Sequence, residues 1–184
     1  MTGPLRPVPA WADRTGLIDL SAEAVVVPPA VHQHVVDRFH RYCWGFDERR
    51  RDVLSDCFTE DAVWEANVMG ETAVGPFRGR DAVIKWLTRY WEVQRDQRRH
   101  VITNVVISRA SDDELTVLGY IVLIGSRRSA SALEAAGVYQ LSCRREEERW
   151  RIDHLTAGFD APYWKMEVSE MSSEIRRLFG ILGE

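Results

Sequence analysis

The chain has 184 residues, of which 45% are hydrophobic and 28% are charged, a balance typical of an ordinary globular domain. Its formal net charge of −4 argues against broad nucleic-acid binding, which needs a basic face. No apolar run approaches the roughly 18 residues of a membrane span, and the N-terminus lacks the pattern of a signal peptide. We therefore expect a cytoplasmic protein with no nucleic-acid partner and no membrane association.

The cysteines and histidines give no indication of a metal site. Cys43, Cys57 and Cys143 are odd in number and lack the spacing of metal ligands, so they are predicted to be reduced core residues. The five histidines form no recognised metal motif with an acid. We expect no metal and no cofactor.

The first part of the chain is predicted to be an arm followed by a long helix. Residues 1–27 contain three prolines and a mixed stretch, and they are expected to add nothing to the core. The main domain is expected to span residues 28–160. Its first helix opens at Pro28-Pro29, since proline is tolerated in a first turn, and apolar residues then recur at helical spacing as far as Phe46.

Asp47 is predicted to be the N-cap of a second helix. A carboxylate in that position can accept hydrogen bonds from the free amides of the first turn, and it meets the positive end of the helix dipole. Val53 and Leu54 would lie on the buried side of this helix. Residues 58–61 are expected to end it, and Ala62 is expected to open the first strand.

The middle of the chain is predicted to form a small hairpin and a third helix. Residues 62–78 indicate two short strands around a turn at Gly70, and the third helix would begin at Arg80 or Asp81.

From His100 the apolar period changes to two, which predicts long antiparallel strands. His100 and Asn104 would share one face of the first of these strands, and His154 would share a face of the last strand with Ile152. Residues 161–184 are predicted to form a final helix. Its narrow apolar stripe is either a lid over a cavity or an oligomer contact.

This order of elements predicts an α+β fold, in which a curved, cone-shaped and mostly antiparallel sheet packs on three helices. Such a sheet encloses an apolar cavity suited to a small molecule. Its other face is expected to be too apolar to remain in water, which predicts a homodimer or homotrimer. The residues expected on that outer face are Val105, Ile107, Leu118 and Val122.

Several segments, in this order and spacing, resemble the SnoaL-like branch of the nuclear-transport-factor-2-like superfamily. The resemblance covers roughly residues 28–160 and is carried by residues 42–47, 54–64, 77–87, 99–104, 119–120 and 150–152. It implies the nuclear-transport-factor-2-like, or cystatin-like, fold. The superfamily includes dehydratases, isomerases, cyclases, epoxide hydrolases and catalytically inert subunits, so the fold alone does not give the activity.

Within this superfamily, three residues resemble the active-site pattern of scytalone dehydratase and bile-acid 7-alpha-dehydratase. The resemblance implies that Asp47 and His100 form a general base, and that Tyr42 donates a hydrogen bond to a substrate carbonyl. Phe46 stands where scytalone dehydratase has the tyrosine that directly precedes the acid. The second histidine of that enzyme and the second carboxylate of the bile-acid enzyme have no counterpart in this chain.

The function predicted from this pattern is a cofactor-independent dehydratase that acts on a hydrophobic carbonyl compound, such as a polyketide or steroid-like intermediate. A polyketide cyclase or an isomerase would use the same base on the same scaffold. A third alternative, from a different class, is a non-catalytic ligand-binding or assembly subunit. In that case Asp47 is only a helix cap, His100 a half-buried histidine and Tyr42 a packed helix residue.

Four further residues are expected to line the cavity and bind substrate, although each has a purely structural alternative. Asn104 could instead satisfy a backbone group, and the other three could simply pack. The four residues are Trp64, Asn104, Tyr120 and His154.

Overall fold

The computed structural model describes residues 8–18, 25–70 and 72–161. Six strands form one sheet in the order β2-β1-β6-β5-β4-β3, in which only the β1–β6 pair is parallel. The elements are α1 (Trp11–Arg14), α2 (Pro29–Asp47), α3 (Arg51–Asp56), β1 (Phe58–Val68), β2 (Thr72–Arg78), α4 (Arg80–Val93), β3 (Gln97–Ala110), β4 (Glu114–Arg127), β5 (Ala130–Glu146) and β6 (Arg149–Phe159). This architecture confirms the predicted α+β class, whereas the predicted final helix, residues 161–184, lies outside the described residues except for residue 161.

Helices α2, α3 and α4 pack on the sheet and enclose the main core between them. Helix α2 begins at Pro29, as the proline pair predicts, and buries Val35, Phe39 and Tyr42 at intervals of three or four residues. Helix α4 begins at Arg80, also as predicted. The face of the sheet that meets these helices is called the inner face below, and the opposite face is called the outer face.

The junction between α2 and α3 differs from its prediction. Asp47 is the last residue of α2, and α3 begins only at Arg51 after a turn. Arg50 stands at the N-cap position, and its guanidinium can only donate hydrogen bonds, so it cannot cap amides. The prediction that Asp47 is an N-cap is therefore wrong, because the chain turns before it re-enters a helix.

The turn after α2 is tight because Gly45 lets the following helix come close. A Cβ on Gly45 would lie 3.0 Å from the backbone nitrogen of Leu54. The carbonyl of Gly45 accepts a hydrogen bond of 2.8 Å from the amide of Arg50, which closes the turn. Strand β1 then begins at Phe58, four residues before the predicted start at Ala62.

A β-bulge in β3 inverts the faces of its second half. Asn104 and Val105 together oppose the single residue Gly119, and Asn104 has a φ of 53°, in the left-handed region. Beyond the bulge, Val105 and Ile107 pack against the core, whereas Asn104 is exposed. The predictions that Asn104 shares the inner face with His100 and that Val105 and Ile107 lie on the outer face are therefore wrong.

A second bulge has the same effect in β6. Ile152 pairs with Cys143 and His154 pairs with Ser142, which leaves Asp153 as the extra residue. Ile152 is fully buried on the inner face, while the side chain of His154 is 39% exposed. The prediction that the two residues share a face is wrong, because alternation is broken between them.

The N-terminal residues 8–18 contribute a small cluster at the C-terminal ends of β1 and β6, although the sequence predicts an arm that adds nothing to the core. Trp11 is 6% exposed and packs with Val68 and Met69. Its indole N–H donates a hydrogen bond of 2.8 Å to Asp160. An aromatic ring can thus anchor a segment that has too few residues for an amphipathic pattern.

The three cysteines are free and buried. Burial raises the pKa of the Cys57 thiol to about 11 and that of the Cys143 thiol to about 12, so both remain protonated near neutral pH.

Among the helices in the described part of the chain, none is long and apolar enough to cross a membrane.

Candidate functional site

The end of α2 meets the beginning of β3 through a contact between Asp47 and His100. One carboxylate oxygen of Asp47 lies 2.6 Å from Nδ1 of His100, and the other accepts a hydrogen bond of 2.8 Å from the backbone N–H of the same residue. Gln97 donates a side-chain hydrogen bond of 3.1 Å to the carbonyl of Asp47. The carboxylate therefore fixes both the backbone and the imidazole of His100.

This pair is removed from solvent. The side chain of His100 is 3% exposed and that of Asp47 is 6% exposed. Asp47 lies at the C-terminal end of a helix, where the dipole disfavours a negative charge. The two donors of His100 offset that unfavourable interaction.

Tyr42 lies on the same side of α2, five residues before Asp47. It is 1% exposed, and its ring meets the His100 ring edge-on, with the two centroids 6.2 Å apart. Burial raises the pKa of the Tyr42 phenol well above its ordinary value, so the group stays protonated and can donate a hydrogen bond. The structure thus brings Tyr42, Asp47 and His100 together.

Trp64 also faces the inner side, from β1. It is 4% exposed and its side chain lies beside the Tyr42 phenol. Among the described residues, its indole N–H makes no hydrogen bond of normal geometry, although it interacts with the Tyr42 phenol. A buried donor of this kind is uncommon, and a bound molecule could satisfy it.

Two aromatic residues that the sequence analysis did not assign to the site complete the surroundings of His100. Phe46 meets the imidazole edge-on, with 5.4 Å between the ring centroids. Tyr139, on the inner face of β5, has its phenol oxygen 3.5 Å from Nε2 of His100. The period of β5 could have indicated Tyr139, since it shares its parity with the apolar residues Leu141 and Cys143.

Three of the four residues expected to bind substrate lie on the other side of the sheet. Asn104 is exposed beside its bulge, and Tyr120 is 53% exposed because the odd-numbered residues of β4 face the helices. His154 contacts Glu65 at 2.9 Å, in a groove of about 370 Å³ on the outer face. The prediction that Asn104, Tyr120 and His154 line the same cavity as His100 is therefore wrong.

Within residues 8–18, 25–70 and 72–161, no group of three or more His, Cys, Asp and Glu side chains could hold a metal ion.

Comparison with known families gives one match that covers most of the chain. The model of the SnoaL-like domain matches residues 31–156, a span that includes Tyr42, Asp47 and His100. A comparison with curated proteins gives no match.

Comparison with solved structures shows the fold. A protein from Catenulispora acidiphila, solved in complex with S-DNPA, is 22% identical with a TM-score of 0.63, over 72% of this chain and 96% of that one. A Novosphingobium aromaticivorans protein described as the beta subunit of an aromatic-ring-hydroxylating dioxygenase is 16% identical with a TM-score of 0.63, over 72% and 90%. An NTF2-like protein with a cystatin-like fold, also from Novosphingobium aromaticivorans, is 16% identical with a TM-score of 0.59, over 80% and 87%. The expected nuclear-transport-factor-2-like, or cystatin-like, fold is thereby confirmed.

Proposed function

This chain belongs to the family of SnoaL-like domains, and we propose that it is a cofactor-independent dehydratase, a lyase that acts on a hydrophobic carbonyl compound such as a polyketide or steroid-like intermediate. The observation that carries the proposal is the buried contact between Asp47 and His100. A carboxylate that holds Nδ1 of an imidazole orients the ring, and Nε2 can then act as a base.

The proposed reaction begins with the removal of a proton from the carbon beside the carbonyl. Nε2 of His100 takes this proton, and the electron pair of the C–H bond moves to the carbonyl to form an enolate. The hydroxyl one carbon further away then leaves and receives the proton from the imidazolium, which gives water and an unsaturated carbonyl product. Asp47 stabilises the imidazolium between these two steps.

Tyr42 and Trp64 are the groups proposed to bind the substrate oxygen. The Tyr42 phenol keeps its proton, and the Trp64 indole N–H beside it makes no hydrogen bond of normal geometry among the described residues. Donors placed where negative charge develops lower the barrier most when water is excluded. The aromatic rings of Phe46, Trp86 and Tyr90, which lie in one contact network, supply such surroundings.

The experiment incubates the protein with a panel of hydrophobic β-hydroxy carbonyl compounds, without added metal or nucleotide. Absorbance of the unsaturated product reports water loss, and mass spectrometry in deuterated water reports proton abstraction even when nothing is eliminated. A cyclase or an isomerase shares the first step, so deuterium incorporation with a new carbon-carbon bond or a shifted double bond identifies those alternatives.

The competing function is a non-catalytic ligand-binding or assembly subunit. The similarity in fold to a protein described as a dioxygenase beta subunit supports this alternative, because one fold can serve both an enzyme and a non-catalytic subunit. A subunit would incorporate no deuterium into any compound of the panel. It would also tolerate substitution of His100 as long as the fold is kept.

Replacing Tyr42 with phenylalanine is expected to lower turnover by roughly 10²-fold, because one donor to the enolate is lost. The ring remains, so the melting temperature should change little. The matched control is Tyr120→Phe, which removes the same hydroxyl from a half-exposed tyrosine on the outer face. If the two variants lose activity equally, Tyr42 has no special role.

We propose in addition that the protein is a homodimer or homotrimer that associates through the outer face. Val101 is 40% exposed and Tyr120 is 53% exposed, and the half-buried Val122 of β4 shares that face, whereas Leu118 is only 4% exposed and adds no open surface. Val101 pairs with Val122 across the sheet, which makes the apolar surface continuous. Such a surface favours association.

The double variant Val101→Lys with Tyr120→Lys is expected to shift sedimentation velocity toward the monomer at micromolar concentration, because two charges would then be buried in the contact. The control is Glu148→Lys, at a side chain that is 92% exposed in the β5–β6 turn. A parent protein that sediments as a monomer contradicts the proposal.

A further inference from the structure

Tyr139 is held in a fixed position on the inner face of the sheet. It lies opposite Gly119 of β4, and a Cβ on Gly119 would come within 2.9 Å of the Phe39 ring. The glycine therefore leaves room for Phe39 to stack on Tyr139, with ring centroids 6.1 Å apart. The Tyr42 ring packs against Tyr139 as well, again at 6.1 Å.

The phenol of Tyr139 meets the nitrogen of His100 that Asp47 does not touch. Its oxygen lies 3.5 Å from Nε2, at the outer limit of a hydrogen bond. Burial raises the pKa of the Tyr139 phenol well above its ordinary value, so the group is a donor near neutral pH. A protonated phenol can also accept, so the direction of this contact follows from the tautomer that Asp47 sets.

The contact with Asp47 selects the tautomer of the imidazole. An ionised Asp47 can only accept, so it favours a proton on Nδ1 at 2.6 Å. Nε2 of the neutral ring then carries the lone pair, and the Tyr139 phenol can donate to it. The basic lone pair therefore lies on the nitrogen that is turned away from the carboxylate.

We propose that Tyr139 is a positioning residue that holds His100 with the Nε2 lone pair ready and occupies that lone pair until a substrate replaces it. This role rests on the proposed function of His100 as a base. A substrate that takes the place of the phenol at Nε2 must offer an oxygen to the released O–H, because a buried donor without an acceptor is costly. Compounds with an oxygen close to the acidic C–H are therefore favoured over those without one.

The first test needs no substrate. In protein labelled with ¹⁵N-histidine, NMR is expected to show His100 protonated on Nδ1, with an Nε2 signal shifted upfield by hydrogen bonding. Tyr139→Phe should move the Nε2 signal downfield, toward the position of a free acceptor. Tyr120→Phe is the matched control and should leave it in place, because the Tyr120 hydroxyl lies on the outer face, whereas the Tyr42 hydroxyl itself interacts with that of Tyr139.

The second test uses kinetics. Tyr139→Phe is expected to lower kcat by roughly tenfold, the scale of one hydrogen bond, with a smaller change in KM. If the protein is active and its Nε2 signal does not change in Tyr139→Phe, the positioning role of Tyr139 is contradicted. The role of His100 as the base is unaffected by that result. A protein that gives the expected spectra but turns over no compound of the panel supports the contact and contradicts the proposed function.

Discussion

Replacing His100 with alanine is expected to lower turnover by roughly 10²–10⁴-fold, the usual contribution of a general base. The variant removes the imidazole that takes the proton from carbon, while β3 keeps its place in the sheet through its backbone pairing with β4. Initial rates and deuterium incorporation should fall together, because both depend on the same proton abstraction. The assay is the panel of β-hydroxy carbonyl compounds, with the best substrate of the parent protein.

Two further variants distinguish the loss of a base from the loss of structure. Alanine leaves one oxygen of the buried Asp47 without its donor, so His100→Gln, which retains an N–H group, should be equally inactive but better folded. His154→Ala removes another histidine that contacts a carboxylate, and it should retain full activity, since His154 and Glu65 lie on the outer face. If the His100 variants keep the turnover of the parent, His100 is structural and the subunit alternative gains support.

The helices and strands could largely be predicted from the sequence, because their signals are local. The proline pair sets the start of α2, Gly79 precedes α4, and alternation of apolar residues marks the strands after His100. The contact between Asp47 and His100 is not local, since 53 residues separate them. It was predicted from a resemblance to known enzymes and not from any period in this chain.

The errors at Asn104 and His154 have one physical origin. Each strand was assigned a constant alternation of faces, but a bulge adds one residue and exchanges the faces beyond it. Asn104 lies in the bulge of β3, and His154 follows the bulge of β6, so both side chains turn outward. Neither bulge contains a glycine that would have indicated it from the sequence.

The error about Asp47 has a different origin. Aspartate is favoured at the start of a helix, and an acidic residue between two apolar periods fits an N-cap. In the structure the same residue ends α2, and its carboxylate is turned toward β3. Local preference gave way to a contact across the fold.

The substitution Asp47→Asn, in turn, is expected to lower turnover by roughly 10²–10⁴-fold although it changes only one atom of the side chain and its charge. The asparagine oxygen can accept the backbone N–H of His100, as the carboxylate does now. Its NH₂ group then faces Nδ1 and donates to it, so the imidazole carries its proton on Nε2. The lone pair is then directed at the asparagine and not at the substrate, and no charge remains to stabilise the imidazolium.

The control for this substitution is its neighbour. Glu48→Gln removes the same charge one residue later, where the carboxylate forms a half-exposed ion pair of 2.7 Å with Arg99. Such a pair contributes little, so turnover should be unchanged. ¹⁵N NMR of His100 should show the proton on Nε2 in Asp47→Asn and on Nδ1 in Glu48→Gln. If Asp47→Asn exchanges the tautomer and turnover is nevertheless that of the parent protein, His100 is not the base, because its lone pair would then face away from any substrate.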